Sequence, residues 1–249
     1  MSIRSDEKRR DFPQTSLTLF QRTQGNSPTD SAEALNDFFK SYWLPLYSFL
    51  RSSGENHEDA SDYVQGFISK EMLDREQLKS WDPKKGSLRG FLKVCLDRYR
   101  KSQKRSETAA RRGGRKWETH ISMDFEWADS YFENNSSDGE SPDKNFDREW
   151  AAAIVNQATA QLADLYLKKD KGEEFQLLLE NLESRGEKQD SVNYGEIASH
   201  LGISEGAVKQ RMRTFRAKFH RCLHQIVNNF SGEADVDDEI ALLMNALGR

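Results

Sequence analysis

Asn193-Tyr-Gly-Glu-Ile-Ala-Ser-His-Leu-Gly-Ile-Ser-Glu-Gly-Ala-Val-Lys-Gln-Arg-Met-Arg-Thr-Phe-Arg216 reads as a helix, a three-residue turn and a second helix with a basic side. Ile197, Ala198 and Leu201 give the first helix one apolar side, and Gly202 stands where a left-handed backbone ends a helix without a Cβ penalty. Ile203 fills the corner. Ser204 is placed to cap the next helix, although Ala207 stands where a capping box carries glutamate. Val208, Met212, Phe215, Phe219 and Leu223 then recur at spacings of four and three, the seam of a helix packed on its neighbour. Lys209, Gln210, Arg213 and Arg216 face away from that seam.

Six Lys or Arg against two Glu lie between Asn193 and His224, in a chain whose formal net charge is -4, so the positive charge is local. A helix-turn-helix of this kind enters the major groove with the first turns of its second helix. There Glu205, Lys209, Gln210 and Arg213 reach base edges or flanking phosphates. Arg216, Lys218 and Arg221 lie further along and suit phosphates. A solvated helix packed on a bundle shares the charge pattern. The turn glycine, the cap and the short first helix speak against that reading.

Outward from this segment the chain is helical in pattern, and strand-like alternation is scarce. With 249 residues, 36% hydrophobic and 31% charged, it suits two small helical units better than one thick core. Leu35, Phe38, Phe39, Tyr42, Trp43, Leu46, Tyr47 and Leu50 repeat every three or four residues, with Pro45 placed to kink the helix or begin a new turn. Ala60, Val64, Phe67, Ile68 and Met72 form one side of a second block. A connector follows at Trp81-Asp-Pro-Lys-Lys-Gly-Ser87. Leu88, Phe91, Leu92, Cys95 and Tyr99 line a third helix, and three such helices can close a small bundle.

Charge then divides the chain. Nine Lys or Arg and one Glu lie between Arg98 and Lys116, followed by ten Asp or Glu against two basic residues between Glu118 and Glu149. Asn134-Asn-Ser-Ser-Asp-Gly-Glu-Ser-Pro142 reads as flexible, while Ile121, Met123, Phe125, Trp127, Tyr131 and Phe132 are able to dock on a surface. The expected organisation is all-α: a flexible segment 1–30, a helical domain 31–105, a long basic-then-acidic linker 106–146, a helical domain 147–232 containing the helix-turn-helix, and an acidic amphipathic helix in 233–249. In the second domain Trp150, Ile154, Ala158, Leu162 and Leu165 line one helix and Phe175, Leu178, Leu179 and Leu182 another. Val236, Ile240, Leu243 and Leu247 give the last helix its apolar side. Glu233, Asp235, Asp237, Asp238 and Glu239 crowd its start, where they suit the helix dipole or shield a basic surface when DNA is absent.

Taken together these residues resemble the sigma subunits of bacterial RNA polymerase, of the small two-domain extracytoplasmic-function type. His57-Glu-Asp-Ala-Ser-Asp-Tyr-Val-Gln-Gly-Phe67 and Gly86-Ser-Leu-Arg-Gly-Phe-Leu92 are similar to the family's first domain. Tyr194-Gly-Glu-Ile-Ala and Ser204-Glu-Gly-Ala-Val-Lys-Gln-Arg211 are similar to its promoter-reading motif. Arg111-Arg-Gly-Gly-Arg115, Ser122-Met-Asp124 and Asp237-Asp-Glu239 resemble a sigma-like subgroup of planctomycetes and related bacteria. The resemblance covers residues 35 to 247 and rests on the order and spacing of motifs that are weak singly. It implies a chain that binds core RNA polymerase and directs promoter-specific initiation on duplex and melted DNA, with an anti-sigma protein as a further partner. By resemblance Asp62 and Gln65 face polymerase, while Arg89, Lys93, Arg100 and Lys101 lie toward DNA. The chain departs from typical members at Arg98 and Ser102, where Asn and Asp are more common, and at Phe91, where Trp is usual.

Elementary physics agrees with that division. Melted bases stack on aromatic rings, so Trp81 beside Lys84 and Lys85 is a candidate single-strand contact; it serves equally to cover a bundle end. Forty extended residues reach about 130 Å at about 3.3 Å each, against roughly 70 Å between elements two duplex turns apart. Two weak grips held by one polymerase act as one through effective concentration.

No glycine-rich phosphate loop, His-Glu-x-x-His sequence or nucleophilic cysteine arrangement points to catalysis, and Asp237 and Asp238 read as end-of-helix charge. Cys95 and Cys222 imply neither disulfide nor zinc, and His57, His120, His200, His220 and His224 form no ligand grouping. No cofactor and no metal are expected. There is no apolar run of the ~18 residues a membrane span needs, and residues 1–10 have no signal-peptide-like apolar segment, so a cytoplasmic, non-enzymatic protein is expected. The alternative is a stand-alone helix-turn-helix regulator that binds a duplex operator without polymerase. A second alternative is a partner-binding helical protein whose basic segments serve solubility.

Overall fold

A computed structural model describes residues 28–74, 77–109, 123–135, 139–183, 194–228 and 236–248. Segment 1–27, the basic run 111–116, Ile121, Ser122, Glu233 and Asp235 lie outside the described residues. Those described are all-α: nine α-helices with short π- and 3-10-helical turns and no strand.

The helices are α1 Pro28–Ser52, α2 His57–Gly66, α3 Leu88–Ala109, α4 Phe125–Asn135, α5 Pro142–Leu167, α6 Gly172–Glu183, α7 Tyr194–Leu201, α8 Glu205–Val227 and α9 Val236–Ala246. α1 continues through Pro45, because the surrounding Tyr42, Trp43, Leu46 and Tyr47 are all buried and their packing outweighs one missing hydrogen bond. Asn56 caps α2 by accepting from the Asp59 N–H at 2.8 Å, and π-helical turns at Phe67–Asp74 prolong it. The expected connector 81–87 holds one short 3-10 turn, Pro83–Lys85, and another, Gln77–Ser80, precedes it. Ser141 caps α5, with Pro142 inside its first turn, where a missing N–H costs nothing.

α5 is the axis of the fold. Phe146, Trp150, Ala151, Ile154, Ala158, Leu162 and Tyr166 are buried along it, facing α1 on one side and α8 and α9 on the other. At one end Trp150 stacks between Tyr42 of α1, 4.5 Å away, and Phe146, 5.6 Å away, and the Tyr42 hydroxyl donates to Gln157 Oε1 at 2.9 Å. Burial drives the Tyr42 phenol far above its ordinary pKa. At the other end Tyr166, Phe175 and Phe215 meet pairwise at 5.6–5.9 Å, joining α5, α6 and α8.

One apolar cluster therefore runs from Phe38 to Leu243 among the described residues, across the boundary expected in 106–146. The physical reason lies in α1. Residues 45–50 are buried on every side of that helix, more than a three-helix bundle can cover, and α5 takes up the remainder. The acidic segment also contributes structure. α4 sits within it, with Ala128 buried, Phe125 and Phe132 packed on the core, and Asp129 paired with Arg51 of α1. Trp127 stays half exposed, stacked on Tyr131. α7 and the start of α8 have a small cluster of their own, Ile197, Ala198 and Val208, with Tyr194, Leu201 and Ile203 around it.

Candidate nucleic-acid interface

The α7–α8 corner is built as its residues require. Gly202 adopts φ +62, the Ile203 N–H donates to the Ala198 carbonyl at 3.0 Å, and Ser204 accepts from the Ala207 N–H at 3.3 Å. A Cβ on Gly202 would meet open space, so the glycine is needed for its backbone angle rather than for room. Val208, Met212, Phe215 and Leu223 turn inward along α8. Glu205, Lys209, Gln210, Arg213 and Arg221 are exposed, and Arg216 and Lys218 are half-buried. Lys209 Nζ lies 5.4 Å from the centre of the Tyr194 ring and Lys218 Nζ 4.8 Å from that of Tyr166. Aromatic rings thus steer two of the ammonium groups without neutralising them.

Arg211, left out of the expected contacts, anchors the helix. Its guanidinium donates to Glu174 Oε2 at 2.7 Å, and Lys171 Nζ stands 3.3 Å from the same oxygen. Beside them a cleft of about 190 Å³ opens between the end of α5 and α8, lined by Lys169, Lys171, Arg211, Lys218 and the lone carboxylate of Glu174. Four cations to one carboxylate extend the positive face of α8 toward the α5–α6 turn. The signal was legible in Lys168-Lys169-Asp-Lys171 but carries no helical pattern of its own.

The candidates on α3 sit differently. Arg89 holds Glu239 of α9 through Nε and Nη2, both at 3.1 Å, and Asp147 of α5 through Nη1 at 2.6 Å. Lys93 reaches Asp143 at 2.9 Å and the same Asp147 oxygen at 3.1 Å. Arg100 binds the buried Glu55 at 3.0 Å and Asp97 at 2.9 Å, and Lys101 binds Asp97 at 2.5 Å. Burial pulls the Arg89 guanidinium down, but the bonds and charges of Asp147 and Glu239 reverse this and leave its pKa above the ordinary value. Burial likewise raises the Asp97 carboxyl, and the bonds from Lys101 and Arg100 overcome it to hold the group low. Of these four cations only Lys101 is exposed.

Trp81 is 5% exposed, and its indole N–H donates to the Gly86 carbonyl at 3.0 Å. In this conformation it covers the bundle end and offers no face for a base. Lys84 and Lys85 beside it are exposed. On α2 Asp62 is exposed and Gln65 half-buried, one turn apart on the helix side away from Ala60 and Val64.

Among the described residues no group of three His, Cys, Asp or Glu is arranged to hold a metal, and no helix is long and apolar enough to cross a membrane. Burial pushes both the Cys95 and Cys222 thiols up, which keeps them protonated. Compared with family models, curated proteins and solved structures, the chain matches none.

Proposed function

We propose that the chain is a sigma factor of the extracytoplasmic-function type, acting in the cytoplasm as the subunit that gives core RNA polymerase its promoter selectivity. Support comes first from the α7–α8 corner. A glycine turn, a serine cap and a buried seam leave Lys209, Gln210 and Arg213 in an exposed row, the arrangement a helix-turn-helix offers to base edges. Arg216, Lys218, Arg221 and the lysines of the adjoining cleft supply phosphate contacts. α3, with Arg89, Lys93, Arg100 and Lys101, takes the melted element, and Asp62 and Gln65 on α2 take polymerase.

Net charge -4 makes free duplex DNA a poor partner for the whole chain. Binding to polymerase overcomes this, because each weak grip is then held beside its target. Reconstitution with native core polymerase, followed by sequencing of transcripts initiated in vitro, tests the reading. Selective initiation is expected, and a chain that never joins the polymerase overturns it. Asp62→Ala and Gln65→Ala weaken polymerase association first; unchanged association removes them from the interface.

One observation favours a stand-alone helix-turn-helix regulator: the α8 row is already exposed, while most of the α3 cations are covered. That reading requires tight, specific binding of a duplex operator by the pure chain, without polymerase.

A further inference from the structure

Two of the α3 cations that the sequence offers to DNA, Arg89 and Lys93, are engaged by carboxylates from two other helices, α5 and α9. Glu239, 6% exposed, and Asp147 grip the Arg89 guanidinium from two sides. Asp147 also shares its oxygen with Lys93, which Asp143 approaches from solvent. Three carboxylates thus serve two cations, and this cluster at the start of α3 carries one negative charge in excess.

The helix that carries Glu239 is short, and Val236, Met244, Ala246 and Leu247 pack on the core only partly buried. α9 has 11 residues, a length marginal for a helix alone, and only Ile240 and Leu243 among its apolar side chains are buried. Its main packing partners are α5 and α8, and Arg89–Glu239 ties it to α3.

We propose that α9, with the acidic first turns of α5, is an internal competitor for single-stranded nucleic acid. It occupies the cationic face of α3 until a strand's phosphates displace Glu239 and Asp147 from Arg89 and Lys93. The proposal rests on α3 being the face for melted promoter. Affinity of the free chain for a strand is lowered by the free energy of this closed arrangement, since both ligands need the same donors.

The test uses the full chain without polymerase and a fluorescein-labelled single-stranded DNA oligonucleotide, read by anisotropy at low ionic strength. The double variant Asp147→Asn, Glu239→Gln keeps side-chain volume and removes two negative charges. It is expected to bind the oligonucleotide roughly tenfold tighter than the unmodified chain, the scale on which charge complementarity changes binding. Adding Arg89→Ala abolishes the gain. On the unmodified chain, saturating oligonucleotide is expected to speed amide hydrogen exchange across 236–246 while leaving 150–166 protected.

A folded double variant with unchanged affinity overturns the proposal. So does oligonucleotide binding that leaves exchange in 236–246 unaltered, or no binding by either protein. Should the double variant fail to fold, the exchange measurement decides alone. Failure of polymerase-directed initiation with displacement intact removes the sigma reading and leaves the competitor; selective initiation without displacement does the reverse.

Discussion

α3 and α8 both carry Lys and Arg along one side, yet Arg89, Lys93 and Arg100 on α3 are held by acids while Lys209, Arg213 and Arg221 on α8 stand exposed. Beside α8, Glu174 of α6 is taken by Arg211 and by Lys171. On α3, Arg89, Lys93 and Arg100 each meet acids from at least one other segment: Asp147, Glu239, Asp143 and Glu55. Charge density along a helix therefore does not say what a cation is doing. The same residue type stands open to solvent on α8 and fastens helices together on α3.

Arg89→Ala is the strongest way to break this comparison. It leaves Glu239 buried without its partner and is expected to cost about 3–5 kcal/mol, as removal of one member of a buried pair does. Denaturant unfolding measures this, and a loss below 1 kcal/mol would place Arg89 with the open row of α8. Gly202→Ala forces a side chain onto φ +62 and is expected to cost about 1–2 kcal/mol, with DNA recognition falling as the corner shifts. Ser204→Ala removes the cap of α8 and is expected to cost about 1 kcal/mol of thermal stability.

A smaller effect separates the two rows by pH. Because Asp97 is held below its ordinary pKa, its contribution is full above the usual aspartate range and disappears as pH falls through the lowered value. The melting temperatures of the wild type and Asp97→Asn should therefore converge in acid and diverge toward neutrality. A constant offset would show that the Arg100 and Lys101 bonds contribute nothing. Arg213→Ala, in the open row, is expected to change stability by less than about 0.5 kcal/mol. It should still cost about 1–3 kcal/mol of discrimination in promoter binding. Equal loss on scrambled DNA would make Arg213 a phosphate contact.

Helices were legible wherever local spacing defines them. Leu88, Leu92 and Tyr99 mark α3, Val208, Met212 and Phe215 mark α8, and Ser204 caps as its position predicts. Pairings between distant residues were not legible. Nothing near Arg89 points to Glu239, which is 150 positions away, and nothing near Tyr42 points to Gln157. Trp81 reads equally as covering a bundle end or presenting its ring, and its burial with the indole bond to the Gly86 carbonyl could not be read from the sequence. In the acidic segment Phe125 and Phe132 were legible as residues able to dock, but the helix they share with Ala128 was not, since that set needs the surface of α1 to become a helix side.

The seam between Tyr42 and Trp150 has a consequence for synthesis. At roughly 5–20 residues per second, the ribosome takes on the order of five to twenty seconds to go from the end of α1 to Gln157. During that interval the nascent chain carries Phe38, Phe39, Tyr42 and Trp43 without their final cover, an aromatic stretch of the kind that recruits chaperones.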